Sequence, residues 1–215
     1  MPLSTSLKCL FVHIPKTGGT SIEKALGIFG DWRTEDRVKL FGQISSDDLL
    51  AKGFGSSFLQ HLTYSEILQV VDRGTLREAF SFAFVRNPWD RLVSTFSNPD
   101  PHMVETARAR GIALTGVSFP DFVRNVSDFR HVHLLPQTLF VCDGRGQLQV
   151  DFVGRFEHLQ QDFASVAGRV GLQVELPHAN ASTHSDYRSY YDTETRRLVT
   201  DLYQYDIEFF GYRFD

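Results

Sequence analysis

Cysteine is nearly absent: Cys9 and Cys142 are the two present in 215 residues, with no Cys-x-x-Cys pair and no disulfide-like spacing. That argues against a disulfide scaffold or a thiolate zinc finger and predicts two buried free thiols in a reducing compartment. No apolar run approaches the roughly 20 residues that span a bilayer, so no integral membrane segment is expected. Met1–Lys8 lacks a basic stretch followed by an apolar one, the mark of a secretory signal. The chain is therefore expected to be cytoplasmic, and the Asn-x-Ser sequons at Asn125 and Asn180 are expected to stay unglycosylated. Positive charge is not in excess either: 22 Lys and Arg against 26 Asp and Glu give a formal net charge of -4. No overall attraction for nucleic acid or an anionic membrane follows, although a local basic pocket is compatible with that balance. Internal repeats and linker-like stretches are also missing, which predicts one domain over residues 1–215.

What the chain does have is apolar bulk in strand-sized pieces. Hydrophobic residues make up 42% of it and 19 residues are Phe, an ordinary globular interior. Leu7–Ile14 (LKCLFVHI) and Ser81–Val85 (SFAFV) are nearly continuous apolar runs with a proline close behind, the pattern of buried parallel strands. Leu139–Cys142 and Val150–Val153 are shorter strand candidates on either side of the turn signal Asp143-Gly144-Arg145-Gly146. Helical patterns occupy Ser21–Leu26, Trp89–Phe96, Phe119–Val126, Glu157–Val170 and Thr193–Phe210, and a further helix start is predicted around Ser45–Lys52. Asn98–Thr115 is poorly patterned, a loop or short helix. Strands alternating with helices predict an α/β fold, a central, mainly parallel sheet flanked by helices in three layers.

The first chemical motif is Pro15-Lys16-Thr17-Gly18-Gly19-Thr20-Ser21, which joins a buried strand to a helix. Such a junction gathers backbone N–H groups and the positive helix end at one point. Gly18 and Gly19 allow close approach of an anion; Thr17, Thr20 and Ser21 add hydroxyls, and Lys16 adds a mobile charge. The arrangement suits the 5' phosphate of a nucleotide. It is not a Walker A loop, whose lysine follows its glycines and precedes a magnesium-holding hydroxyl. Taken alone, an ordinary Gly-rich turn fits these residues as well.

The second motif, Arg86-Asn87-Pro88-Trp89-Asp90-Arg91-Leu92-Val93-Ser94, follows the other buried strand. Arg86 offers a planar fork and Ser94 a hydroxyl for one more phosphate. Two anion sites suit a nucleotide phosphorylated at both 5' and 3' positions. At this point the sequence resembles the sulfotransferases that use 3'-phosphoadenosine-5'-phosphosulfate (PAPS). HIPKTGGTS is similar to their 5'-phosphosulfate loop and FAFVRNPWDRLVSTF to their 3'-phosphate element. LPQTLFV, VDFVGRFEHLQQDF, LPHANAS and YQYDIEFFGY resemble the carbohydrate branch that contains the heparan and dermatan 2-O-sulfotransferases. The resemblance implies a single sulfotransferase domain with a P-loop-NTPase-like fold and no metal required at the sulfate. It implies that Lys16, Thr17, Gly18, Gly19, Thr20 and Ser21 bind the 5' phosphosulfate and that Arg86 and Ser94 bind the 3' phosphate. The product would be adenosine 3',5'-bisphosphate, and the acceptor a hydroxyl-bearing small molecule or glycan. Arg91 is read as a structural ion-pair partner.

Sulfuryl transfer by in-line displacement needs a base for the acceptor hydroxyl and a cation for the leaving oxygen. Lys16 fits the second role. His61, in Gln60-His61-Leu62-Thr63-Tyr64, is the candidate base: imidazole titrates near neutrality, and its His-x-x-Tyr pattern resembles the catalytic segment of the 2-O branch. Those relatives often carry another histidine two residues earlier, where this chain has Leu59. His13 is the competitor, read as adjacent to sulfate or substrate, with a structural strand-end role equally open. His158 and His178 are read as structural. His131 and His133 lack further ligands at suitable spacing along the sequence, so no metal site is expected. The competing functions are a kinase or NTPase on the same fold and a non-catalytic module that binds adenosine 3',5'-bisphosphate.

Overall fold

The computed structural model describes residues 3–28, 40–43, 58–177 and 185–215. The helix start expected at Ser45–Lys52, and His178 with Asn180, lie outside the described residues. The chain divides into two compact units, Met1–Val85 with Leu139–Asn180 and Arg86–Thr138 with Ala181–Asp215.

The first unit holds a four-stranded sheet in the order β1 (Leu3–Ser4), β2 (Cys9–Val12), β3 (Phe80–Val85) and β4 (Phe152–Arg155). β1 pairs antiparallel with β2, whereas β2–β3 and β3–β4 are parallel. The mainly parallel α/β sheet is the one the apolar runs predict. Cys9, Phe11, Phe82 and Phe84 point to one face, where they pack with Ile22 of α1 (Gly19–Ala25), its C-cap Leu26, and Phe163, Val166 and Ala167 of α8 (Leu159–Arg169). Leu10, Val12, Ala83 and Val85 on the opposite face are buried as well, as expected of a sheet covered on both sides. Gly154 in β4 is demanded by its neighbour, because a side chain there would overlap the Phe84 ring. Both cysteines are free and buried, and burial raises the Cys9 thiol to about 11. The short helices α2 (Tyr64–Val70) and α3 (Arg73–Glu78) complete the described helices between β2 and β3.

The second unit is helical: α4 (Pro88–Ser97), α5 (Pro101–Ala109), α6 (Phe119–Ser127), the start of α7 (Thr138–Val141), α9 (Thr193–Leu202) and α10 (Gln204–Phe210). Asn87, Asp100 and Ser118 cap α4, α5 and α6, and each cap is followed by a proline in the first turn, where a missing N–H costs nothing. The poorly patterned stretch after Asn98 thus contains a capped helix, α5.

Two expectations need correction. Leu139–Cys142 is not a strand: Thr138–Val141 is helical, because the buried Asp206 carboxylate accepts the Gln137 and Thr138 N–H groups at 2.6 and 2.8 Å and caps the turn from 68 residues away. Thr193–Phe210 is not one helix but two, broken at Tyr203, whose hydroxyl donates to the Leu134 carbonyl at 3.0 Å. Asp206 also accepts the Thr138 hydroxyl and lies 3.9 Å from Arg91. Asp206→Ala is therefore expected to cost about 3–5 kcal/mol, read as a lower urea midpoint at unchanged slope. No helix among the described residues is long and apolar enough to cross a membrane.

Candidate active site

β2 ends at Val12, and His13-Ile14-Pro15 carries the chain into the loop that opens α1. Lys16 has φ 69° and Gly18 φ 87°, both left-handed. For a lysine this backbone is strained, and such strain persists where the surroundings enforce it. The enforcing bond is local: the fully buried Thr17 donates its hydroxyl to the Ile14 carbonyl at 2.8 Å and ties the loop onto the strand end. The Thr17 hydroxyl is thus already engaged within the loop. The Ser21 and Ile22 N–H groups close onto the Gly18 carbonyl at 3.1 and 3.3 Å, so the first turn of α1 starts at the glycines.

His13 packs against this loop. It is 6% exposed, stacks on Phe11, and its ring fills the space where a Gly19 side chain would lie. Nδ1 is 2.6 Å from Oε1 of Glu23, itself 2% exposed. A neutral His13 therefore carries its proton on Nδ1 and turns Nε2 toward Gly19. Glu23 escaped the sequence reading, although a signal was present. Gly19, Ile22, Glu23 and Leu26 follow the i, i+3, i+4, i+7 spacing of one helix face, which puts an acid on the buried stripe.

His61 ends the single 3₁₀ turn Leu59–His61 and is 4% exposed. Its Nδ1 is 3.0 Å from the His13 carbonyl oxygen, so Nδ1 carries a proton and donates. Nε2 is then the basic nitrogen of the neutral ring, and it accepts from the Gln60 amide at 3.3 Å. The two imidazoles meet edge to face, with centroids 4.6 Å apart. The first loop, His13, Glu23 and His61 are thus one cluster at the C-terminal end of β2. Leu59, at the place of the relatives' second histidine, is buried.

In the second unit Arg86 is 3% exposed and donates from Nε to Asp90 at 2.7 Å, while its backbone is clasped at both N–H and C=O by the Gln137 amide. Ser94, 7% exposed, lies in α4, whose N-cap Asn87 also donates to the Arg213 carbonyl. Arg91 donates from Nη2 to the His133 and Leu135 carbonyls at 3.1 and 2.7 Å and sits over the Tyr203 ring. These contacts match the structural role read for it. Burial and neighbouring Arg86 lower its pKa, against the raising effect of Tyr203 and Asp206.

Of the remaining histidines, His158 is exposed at the start of α8. Burial, with His102 and Arg110 adding to it, lowers His131 to about 4. Asp100, His102 and His131 bring their ligand-type atoms within 4.8 Å of one another. Along the sequence the only histidine near His131 is His133; the fold brings Asp100 and His102, at the start of α5, next to it.

Against this geometry stand the comparisons with known proteins. The chain is 24% identical over 247 aligned residues to carbohydrate sulfotransferase 10 of Gallus gallus, which covers 96% of this chain and 64% of that protein. The chain therefore spans less than two thirds of that relative's length. No solved structure gives a significant match. The family described as "Sulfotransferase family" matches residues 3–213, nearly the whole length, and carries the loop, the β2 and β3 strands and the α4 element within one match: the chain belongs to the sulfotransferase family.

Proposed function

We propose that the protein transfers a sulfuryl group from PAPS to a hydroxyl of a carbohydrate, by in-line displacement with His61 as general base. The family supports sulfuryl transfer itself; the donor, the base and the acceptor are our further reading. The observation that carries it is the state of His61. A non-catalytic nucleotide module has no need of a buried imidazole whose Nδ1–H is fixed on a backbone carbonyl and whose Nε2 is thereby made basic.

The left-handed backbone at Lys16 and Gly18 fits an anionic group, because such a loop can turn backbone N–H groups toward one concavity. PAPS supplies the activated sulfuryl group when bound. In this reading residues Lys16–Ser21 hold its 5' phosphosulfate, and Arg86 and Ser94 hold its 3' phosphate. His61 Nε2 takes the acceptor proton as the new O–S bond forms. Lys16 offsets the charge left on the 5' phosphate as the old S–O bond breaks, a role assigned to no metal here. In the same reading His13, fixed by Glu23, lies next to the sulfate. A P-loop-NTPase-like arrangement of the sheet belongs to the same reading, supported by the family and the parallel β2–β3–β4 order. The carbohydrate acceptor is supported by the relative's name.

Calorimetry tests the donor. Adenosine 3',5'-bisphosphate is expected to bind about 10- to 100-fold more tightly than AMP, since charge-assisted bonds to one phosphate contribute roughly 1.5–3 kcal/mol. ATP should also bind more weakly. Equal affinities for the three nucleotides would remove the reading, and an acceptor screen with labelled PAPS across glycans, phenols and lipids separates the acceptor classes.

A further inference from the structure

We propose that Asp100, His102 and His131 form a binding site for one divalent transition-metal ion of the zinc or cobalt type, apart from any residue assigned to the nucleotide or the base. Two short-range features and one long-range one build it. Asp100 caps α5, with Oδ1 accepting the Met103 N–H at 2.9 Å. That bond leaves Oδ2 as the carboxylate oxygen not used by the cap. Pro101 occupies the first helical position, so His102 follows within the same turn and shares the helix end with the carboxylate. His131 arrives from the other side of α6, immediately before the 3₁₀ turn Val132–Leu134.

The spacing of the two imidazole nitrogens fits a metal. His102 Nδ1 and His131 Nε2 are 3.4 Å apart, and one atom from each of the three residues falls within 4.8 Å of the others. Two nitrogens held at about 2.0–2.1 Å by a tetrahedral ion stand about 3.3–3.4 Å apart. The same two nitrogens are within hydrogen-bond distance of each other, and the ion would replace that contact. Two imidazoles and one carboxylate suit zinc, cobalt and their neighbours rather than magnesium or calcium, which prefer oxygen. Three protein ligands leave a fourth position for water or an anion.

The orientation is partly prepared. The Phe129 ring stacks on His131 at an interplanar angle of 12°, and His133 packs at its edge. Two features oppose the ion. His131 Nδ1 accepts the His133 N–H at 3.3 Å, and metal on Nε2 shifts the ring proton to Nδ1, so this long bond is given up. Arg110 lies over the Phe129 ring, and its charge disfavours a second cation, which the Asp100 carboxylate counters. The half-buried position and these two costs describe an exchangeable site rather than a closed structural one.

Cobalt(II) alone is the probe, titrated into the full chain after chelator treatment and followed by visible absorption. Four-coordinate cobalt absorbs far more strongly than the aqueous ion. The expected result is saturable binding of one equivalent, displaced by zinc, at least tenfold weaker in His102→Ala and in His131→Ala and unchanged in His158→Ala. Asp100→Asn guards against a folding artefact, because asparagine still caps the helix while the anionic ligand is lost; it too should bind at least tenfold more weakly with an unaltered melting temperature. Absence of the absorption, or its persistence at full strength in both histidine variants, overturns the site. Neither result bears on nucleotide binding or transfer.

Discussion

His61→Asn is expected to reduce sulfuryl transfer by about 10²- to 10⁴-fold, the usual contribution of a positioned general base, while nucleotide affinity and melting temperature stay close to the parent. The choice of asparagine follows from the bonding of the ring. Nδ1 donates to the buried His13 carbonyl, and an asparagine amide can donate from nearly the same place but has no basic nitrogen. His61→Ala removes both functions. It should lose activity to the same extent and also lose stability, by about 1–3 kcal/mol for a buried carbonyl left without its donor. The pair of variants separates catalysis from anchoring. Turnover near the parental rate in His61→Asn would place the base elsewhere, with His13 the next imidazole to remove.

Gly19→Ala should be among the most damaging single-methyl additions in the first unit. Its side chain would overlap the His13 ring, and that ring cannot yield freely. Phe11 stacks on it, and Glu23 holds Nδ1 at 2.6 Å. Overpacking typically costs about 1–3 kcal/mol. Swinging the ring aside would in addition strip a buried carboxylate of its partner, a loss on the order of 3–5 kcal/mol when complete. We expect destabilisation of about 3 kcal/mol and a melting temperature lower by roughly 6–12 °C, with nucleotide binding impaired because the loop that starts α1 is displaced. A double-mutant cycle with His13→Ala makes the argument specific. If the ring is the obstacle, adding the methyl to His13→Ala should cost little, with a coupling of at least about 1 kcal/mol. Additive effects would show that the clash is not with His13.

The parts of this structure legible in the sequence are those fixed by neighbours along the chain. β2 and β3 announce themselves as continuous apolar runs stopped by Pro15 and Pro88, and α4 by an asparagine cap followed by proline. The loop between β2 and α1 was legible for the same reason, since its glycines and lysine are consecutive. What stayed hidden was decided at a distance. Nothing near Leu139 tells that a carboxylate 67 residues away will cap a helical turn there, and an apolar run of that length reads as strand. Tyr203 looks like any aromatic on a helix face until its hydroxyl meets Leu134. The meeting of His131 with Asp100 and His102 joins two stretches far apart along the chain, which no local spacing encodes. Glu23 is the exception, a residue whose buried position could be read from helical periodicity alone.

The interlock of His13 with Gly19 also has a hereditary consequence. Each position sets what the other can tolerate: while a broad ring occupies 13, residue 19 has no room for a side chain, and a lineage that acquires one at 19 must first have trimmed 13. Across descendants of a common ancestor the two sites should therefore change in an enforced order, with the ring lost before the glycine.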